Sequence, residues 1–190
     1  MSSSDLIRWG GLASMLAGVT FVVLFLVGLV IPEPLPGSFS DVLTSIMFII
    51  ALLLLLVGLA GFHALQKESY GRIGRAGFYT VIVATLVQIL AQVVLVMGST
   101  ALEFLDFLGL LGVMVGFVLY GAATLQARVL PRWCGVGFIA GLPVWVAVSV
   151  VSGEYGGIVG GILFGLLWLA LGYTLWARSG TVTQRAPRVS

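Results

Sequence analysis

The chain has 190 residues, 60% of them hydrophobic and 8% charged, with a formal net charge of +2. Water-soluble domains carry about 25% charged residues, so a soluble globular fold is excluded. The few cations are scattered singly along the chain, which points away from nucleic acid, whose binders gather them into a patch.

About 20 apolar residues in helical form cross a hydrocarbon core of about 30 Å, and lipid tolerates no unpaired backbone groups. Runs of this kind fill residues 9–32, 42–66, 76–102, 107–127, 133–153 and 155–177. They are too long and too continuously apolar for the alternating strands of a barrel. The prediction is an all-α polytopic membrane protein, a six-helix bundle of three hairpins in a single domain over residues 1–178. A basic, disordered tail is expected at 179–190.

The first run is longer than a secretory h-region and leaves through Val30-Ile31-Pro32-Glu33 without a small-residue cleavage pattern, so it is expected to be retained. The connection IPEPLPGSFS (31–40) spaces three prolines at alternate positions, predicting a stiff, extended turn. Near the end of the second run stands His63, the single histidine. Alone it makes no bis-histidine haem site, and nothing around it has metal-ligand spacing. An ordinary interfacial residue is expected, and no metal or cofactor.

The third run carries TLVQILAQVVLVMG (85–98), where Thr85, Gln88 and Gln92 follow spacings of three and four and form one helical stripe. A short turn at Gly98-Ser99-Thr100 then folds the fourth helix back. Gln92 and Asp106 are equidistant from Ser99, so an antiparallel pair sets them at similar depth, about 10 Å from the turn at about 1.5 Å per residue. Thr100-Ala101-Leu102-Glu103 has the T-x-x-E form of a capping box, which gives Glu103 an ordinary role. Asp106 lies deeper, and a carboxylate inside a span is by default a functional residue. Helix-to-helix hydrogen bonding, at about 0.6 kcal/mol per polar group, is the competing role for the stripe.

Gly112 and Gly116 in the fourth run, and Gly157, Gly161 and Gly165 in the sixth, lie at four-residue spacing. Such faces let helices approach closely, within the chain or at an oligomer seam. The fifth run begins near Cys134, the single cysteine, which permits no internal disulfide. Pro143 should kink that helix; an ordinary kink is the expected role, and an outward cavity shaped with Trp145 and Ser149 is the alternative.

Charge placement predicts orientation. With alternating helices, Arg8, Lys67, Arg72, Arg75, Arg128, Arg132, Arg178, Arg185 and Arg188 fall on one side, with Asp5 and Glu68. Glu33, Asp41, Glu103, Asp106 and Glu154 fall on the other. The positive-inside rule makes both termini cytoplasmic, and the basic side is expected to meet anionic lipid.

The cytoplasmic junctions LQKESYGRIGRAGF (65–78) and LQARVLPRWCGVGF (125–138) match in register, TLQAR recurs as TLWAR, and RWGG echoes RWCG. A two-helix unit used three times produces this pattern, and so do the shared demands of cytoplasmic helix ends. Segments such as LIRWGGLASMLAG and ARVLPRWCGVGFIAG resemble small multi-pass membrane proteins of unknown function from actinobacteria and related GC-rich bacteria. That resemblance implies a bacterial inner-membrane location and carries no activity or functional residues with it.

No HExxH, GxSxG, Walker loop or dinucleotide fingerprint occurs, so an enzyme is not expected. The sequence points to binding or transport of a small ligand or ion, with Thr85, Gln88, Gln92 and Asp106 as the polar lining. The alternative is a membrane-embedded scaffold, or a subunit of a homo-oligomer or membrane complex, acting through the glycine faces.

Overall fold

Six α-helices dominate residues 3–30, 38–99 and 101–184, which the computed structural model describes. They are α1 (Ser3–Val30), α2 (Phe39–Gln66), α3 (Gly71–Val96), α4 (Glu103–Ala127), α5 (Arg132–Val151) and α6 (Gly156–Gln184), with a single 3-10 turn at Gly153–Tyr155 before α6. Each of the six is long and apolar enough to cross a membrane, which makes the chain a multi-pass membrane protein.

The helix ends follow local chemistry. Ser38 caps α2 by accepting a hydrogen bond from the Asp41 backbone N–H at 3.2 Å, and Asp41 itself complements the positive helix start. Helix α3 begins upstream of Arg72 and Arg75, because long arginine stems reach the interface from inside a helix. Helix α4 begins at Glu103, and its N-cap, Leu102, makes no side-chain capping bond. Glu103 is therefore the first helical residue and not the fourth position of a capping box, and Thr100 lies outside the described residues. Gly98 and Gly153 take φ of +82° and +62° in the two short connections, a conformation costly for any residue with a Cβ. The proline-spaced segment 31–37 also lies outside the described residues. Helix α6 runs on through the expected tail as far as Gln184; residues 185–190, with Arg185 and Arg188, are outside the description.

The helices form a closed ring in chain order. α1 packs most extensively on α6 and on α2, α3 packs on α4, and α5 bridges α4 and α6; the α2–α3 contact is the thinnest joint of the ring. The three joints between successive pairs are thus unequal. Close approaches fix the directions: Gly10 meets Gly61 and Ser14 meets Gly58, Gly11 meets Trp176 and Gly18 meets Gly165, and Gly77 meets Tyr120 while Ala84 meets Gly112. In each pairing one number rises as the other falls, so these neighbours are antiparallel. One end of the bundle then carries the start of α1 and the end of α6 with Arg8, Lys67, Arg72, Arg75, Arg128, Arg132 and Arg178. The opposite end carries Asp41, Glu103, Asp106 and Glu154.

The outside is apolar, with Val23, Ile46, Leu53, Val83, Leu86, Val115, Leu163 and Leu166 among the exposed side chains. A surface of this kind is a liability in water and ordinary in lipid. The inside of the terminus-bearing half is filled by rings. Phe138 lies 5.2 Å from Phe62, 5.3 Å from Tyr120, 5.9 Å from Phe117 and 6.0 Å from Trp168, and all five are buried. This aromatic plug closes the bundle axis on that side.

Candidate functional site

Helices α3 and α4 lie close because small residues alternate along their seam. A Cβ at Gly116 would stand 2.8 Å from the Val81 backbone nitrogen, and one at Gly112 2.8 Å from the Ala84 Cβ. Gly109 continues this face. A Cβ there would come within 2.4 Å of the Gln88 Cγ and 3.1 Å of the Ala84 carbonyl oxygen. The missing side chain at Gly109 is therefore the berth in which Gln88 lies, and the sequence reading passed over it.

The expected polar stripe follows from this seam. Thr85 is fully buried and Gln88 is 6% exposed. One turn further on, the Gln92 Nε2 donates to the Asp106 Oδ1 at 3.3 Å, so the amide and the carboxylate set equidistant from Ser99 do meet. Gln92 acts on the carboxylate from the side, while Thr85, Gln88 and Asp106 line a cavity of about 140 Å³.

Every helix contributes to that cavity. The remaining lining consists of Phe21 from α1, Phe48, Leu52 and Leu55 from α2, Leu110, Val113 and Phe117 from α4, Leu142 and Trp145 from α5, and Phe164 from α6. These residues run from the middle of the bundle toward the end that carries Asp41, and Phe117, deepest in α4, joins the cavity to the aromatic plug. Trp145 uses its indole N–H on the Gly157 carbonyl at 3.1 Å, and Ser149 returns its hydroxyl to the Trp145 carbonyl at 2.9 Å. Only the ring of Trp145 is thus offered to the cavity, and Ser149 lies outside the lining. Among the described residues the Thr85 hydroxyl has no hydrogen-bond partner, although leaving a buried polar group unpaired costs about 1–3 kcal/mol.

The glycine faces meet the chain's own helices. Gly161 lies under the Phe25 ring, Gly165 against the Gly18 carbonyl, and Gly112 and Gly116 against α3, whereas a Cβ at Gly157 would meet only Ser149 Oγ at 3.9 Å.

A second polar group lies near the terminus-bearing end. The Tyr70 hydroxyl hydrogen-bonds His63 Nδ1, and the His63 ring stacks on Phe78 at 4.0 Å. Burial pushes the Tyr70 phenol up to about 12, with the nearby Arg75 pulling the other way. The phenol is thus neutral at physiological pH and able to donate. Gln66 Nε2 donates to the Tyr120 hydroxyl at 3.3 Å, while Gln66 Oε1 has no partner among the described residues. His63 therefore has definite partners, which its isolation in the sequence did not suggest. No group of three histidine, cysteine, aspartate or glutamate side chains among the described residues is arranged to hold a metal. Cys134 is a free, buried thiol. No family model, curated protein or solved structure matches the chain.

Proposed function

We propose that this multi-pass membrane protein binds a small ligand in the six-helix cavity, with Thr85, Gln88 and Asp106 as its polar contacts and Gln92 holding the carboxylate. The observation that carries this reading is the Thr85 hydroxyl, fully buried, unpartnered and lining an internal space. A packing-only role for the stripe would leave that group at a cost with nothing gained. The sidedness of the cations adds an orientation by the positive-inside rule: termini in the cytoplasm of a bacterial cell, the cavity in the outer half of its inner membrane, and the basic end against anionic lipid headgroups. A scaffold role through the glycine faces draws less support, since Gly112, Gly116, Gly161 and Gly165 are covered within the chain.

The test is mass spectrometry of the protein purified gently in lipid nanodiscs. A stoichiometric small molecule is expected with the wild type, and it should vanish in Asp106→Asn combined with Gln92→Leu while the unfolding midpoint is kept. Equal retention by that variant refutes the reading.

A further inference from the structure

The two walls of the cavity differ in chemistry, and the difference selects a ligand class; this inference rests on the ligand site proposed above. On one wall four rings touch in series around α2, α1, α6 and α5. Phe48 meets Phe21 edge-on at 6.1 Å, Phe21 meets Phe164 edge-on at 5.3 Å, and Phe164 stacks on Trp145 at 5.5 Å. Across the ring of helices, α3 and α4 present Thr85, Gln88 and Asp106. Among the described residues no lysine, arginine or histidine lines the space, and the hydrogen bond that Asp106 receives comes from a neutral amide.

Each ligand class can be set against these walls. An anion would face the Asp106 carboxylate, which repels it, with no cation among the lining residues to offset that repulsion. A divalent metal ion is usually held by more than one charged ligand, whereas Asp106 is the single carboxylate among the residues lining the cavity and no three histidine, cysteine, aspartate or glutamate side chains gather among the described residues. A neutral hydrocarbon would suit the rings and leave the carboxylate and the Thr85 hydroxyl unserved. A positive centre that carries alkyl groups answers the carboxylate and the rings together, since aromatic rings attract cations and aromatic enclosures recognise ammonium groups, and a hydroxyl or N–H on the same molecule would serve Thr85. The volume limits the size: about 140 Å³ is close to the ~150 Å³ cavity that holds benzene, and well below the roughly 300–1,000 Å³ of drug-sized sites. We propose that the ligand is a small organic cation, an amine or quaternary ammonium compound, with its positive centre between Asp106 and the ring series.

The test compares choline with the dimethylbutanol in which carbon replaces its nitrogen, the same shape without the charge. Equilibrium dialysis uses the full chain in a maltoside detergent, which carries no ammonium group of its own. Choline is expected to bind once per chain and at least about tenfold more tightly than the alcohol, a difference of about 1.4 kcal/mol. Asp106→Asn should bring the two affinities together. Phe48→Leu, at a partly exposed ring, should weaken choline about fivefold or more and the alcohol little, a loss the cation–π attraction supplies. Equal binding of the two compounds, undiminished discrimination in Asp106→Asn, or failure of choline to bind overturns the cation inference. A neutral molecule found in the nanodisc measurement would then leave the cavity reading standing, and no retained molecule at all would remove both.

Discussion

Gly18 and Gly165 are the tightest reciprocal crossing in the bundle, and replacing either with alanine tests how α1 and α6 are held. A Cβ on Gly18 would lie 2.5 Å from the Gly165 carbonyl oxygen and 2.6 Å from the Leu169 nitrogen; one on Gly165 would lie 2.8 Å from the Gly18 oxygen. These obstacles are backbone atoms, which no rotamer change removes. Ordinary contact begins near 3.4 Å, so the helices must part by roughly 0.5–1 Å, which forfeits a quarter to a half of each atom-pair attraction of about 0.1–0.2 kcal/mol along the seam. With the strain of overpacking, about 1–3 kcal/mol in cores, and a helix-propensity gain of at most about 1 kcal/mol, Gly18→Ala should destabilise by about 1–2 kcal/mol. The double substitution should cost clearly less than the two singles together, because the first has already separated the helices. Gly28→Ala is the internal control, since nothing lies within 4 Å of its added Cβ, and it should be neutral or slightly stabilising. The assay is the unfolding midpoint in mixed dodecylmaltoside and SDS micelles. Gly18→Ala matching Gly28→Ala in stability would refute the packing argument.

Thr85→Val keeps the shape and removes the unpartnered hydroxyl, so the ligand-free protein should gain about 1 kcal/mol of stability while retaining less ligand; unfolding midpoints and nanodisc mass spectra read the two effects separately. Tyr120→Phe leaves the Gln66 Nε2 as unpaired as its Oε1 already is and should cost about 1–2 kcal/mol, most of it recovered by adding Gln66→Met. For Tyr70 the folded phenol lies at about 12, above the ordinary value near 10. Its contribution to stability is therefore complete below pH ~10 and lost as pH rises from ~10 through ~12. The wild-type midpoint should fall more steeply over that window than that of Tyr70→Phe. Orientation is read by labelling intact cells with an impermeant maleimide, since buried Cys134 gives little background. Ser99→Cys should react in intact cells and Ser69→Cys only after lysis, and the reverse pattern overturns cytoplasmic termini.

The six helices were legible because apolar runs of that length have few alternatives, while their ends were less so. Charges bounded the runs in the sequence, yet Arg72 and Arg75 lie inside α3 and Asp106 inside α4. The meeting of Gln92 and Asp106 was legible from their equal spacing about a short turn, a local fact. The aromatic wall was not. Phe21, Phe48 and Phe164 each lie about nine residues, or about 13 Å at the helical rise, from the same end of the bundle, and of the four rings only Trp145 stood out in the sequence, through the proline beside it. That common depth appears only when all six helices are aligned, and single phenylalanines in apolar runs carry no signature. The glycine faces were visible as patterns, but their partners depended on which helices are neighbours, and α1 with α6 joins opposite ends of the chain. Gly109 escaped notice because its significance lies in the glutamine that fills it.

The thin joint between α2 and α3 gives the ring the mechanics of a spring clip. Glycine contacts bring backbone against backbone at the joints α1–α2, α1–α6, α3–α4, α4–α5 and α5–α6, and none of the described glycines does so between α2 and α3. Any expansion of the space inside concentrates at the joint with least to lose. Phe48, Leu52 and Leu55 stand on one jaw and Thr85 and Gln88 on the other. The aromatic and polar walls of the cavity are thus carried by the two parts of the molecule that separate most cheaply, and a molecule bridging them would act as the clasp.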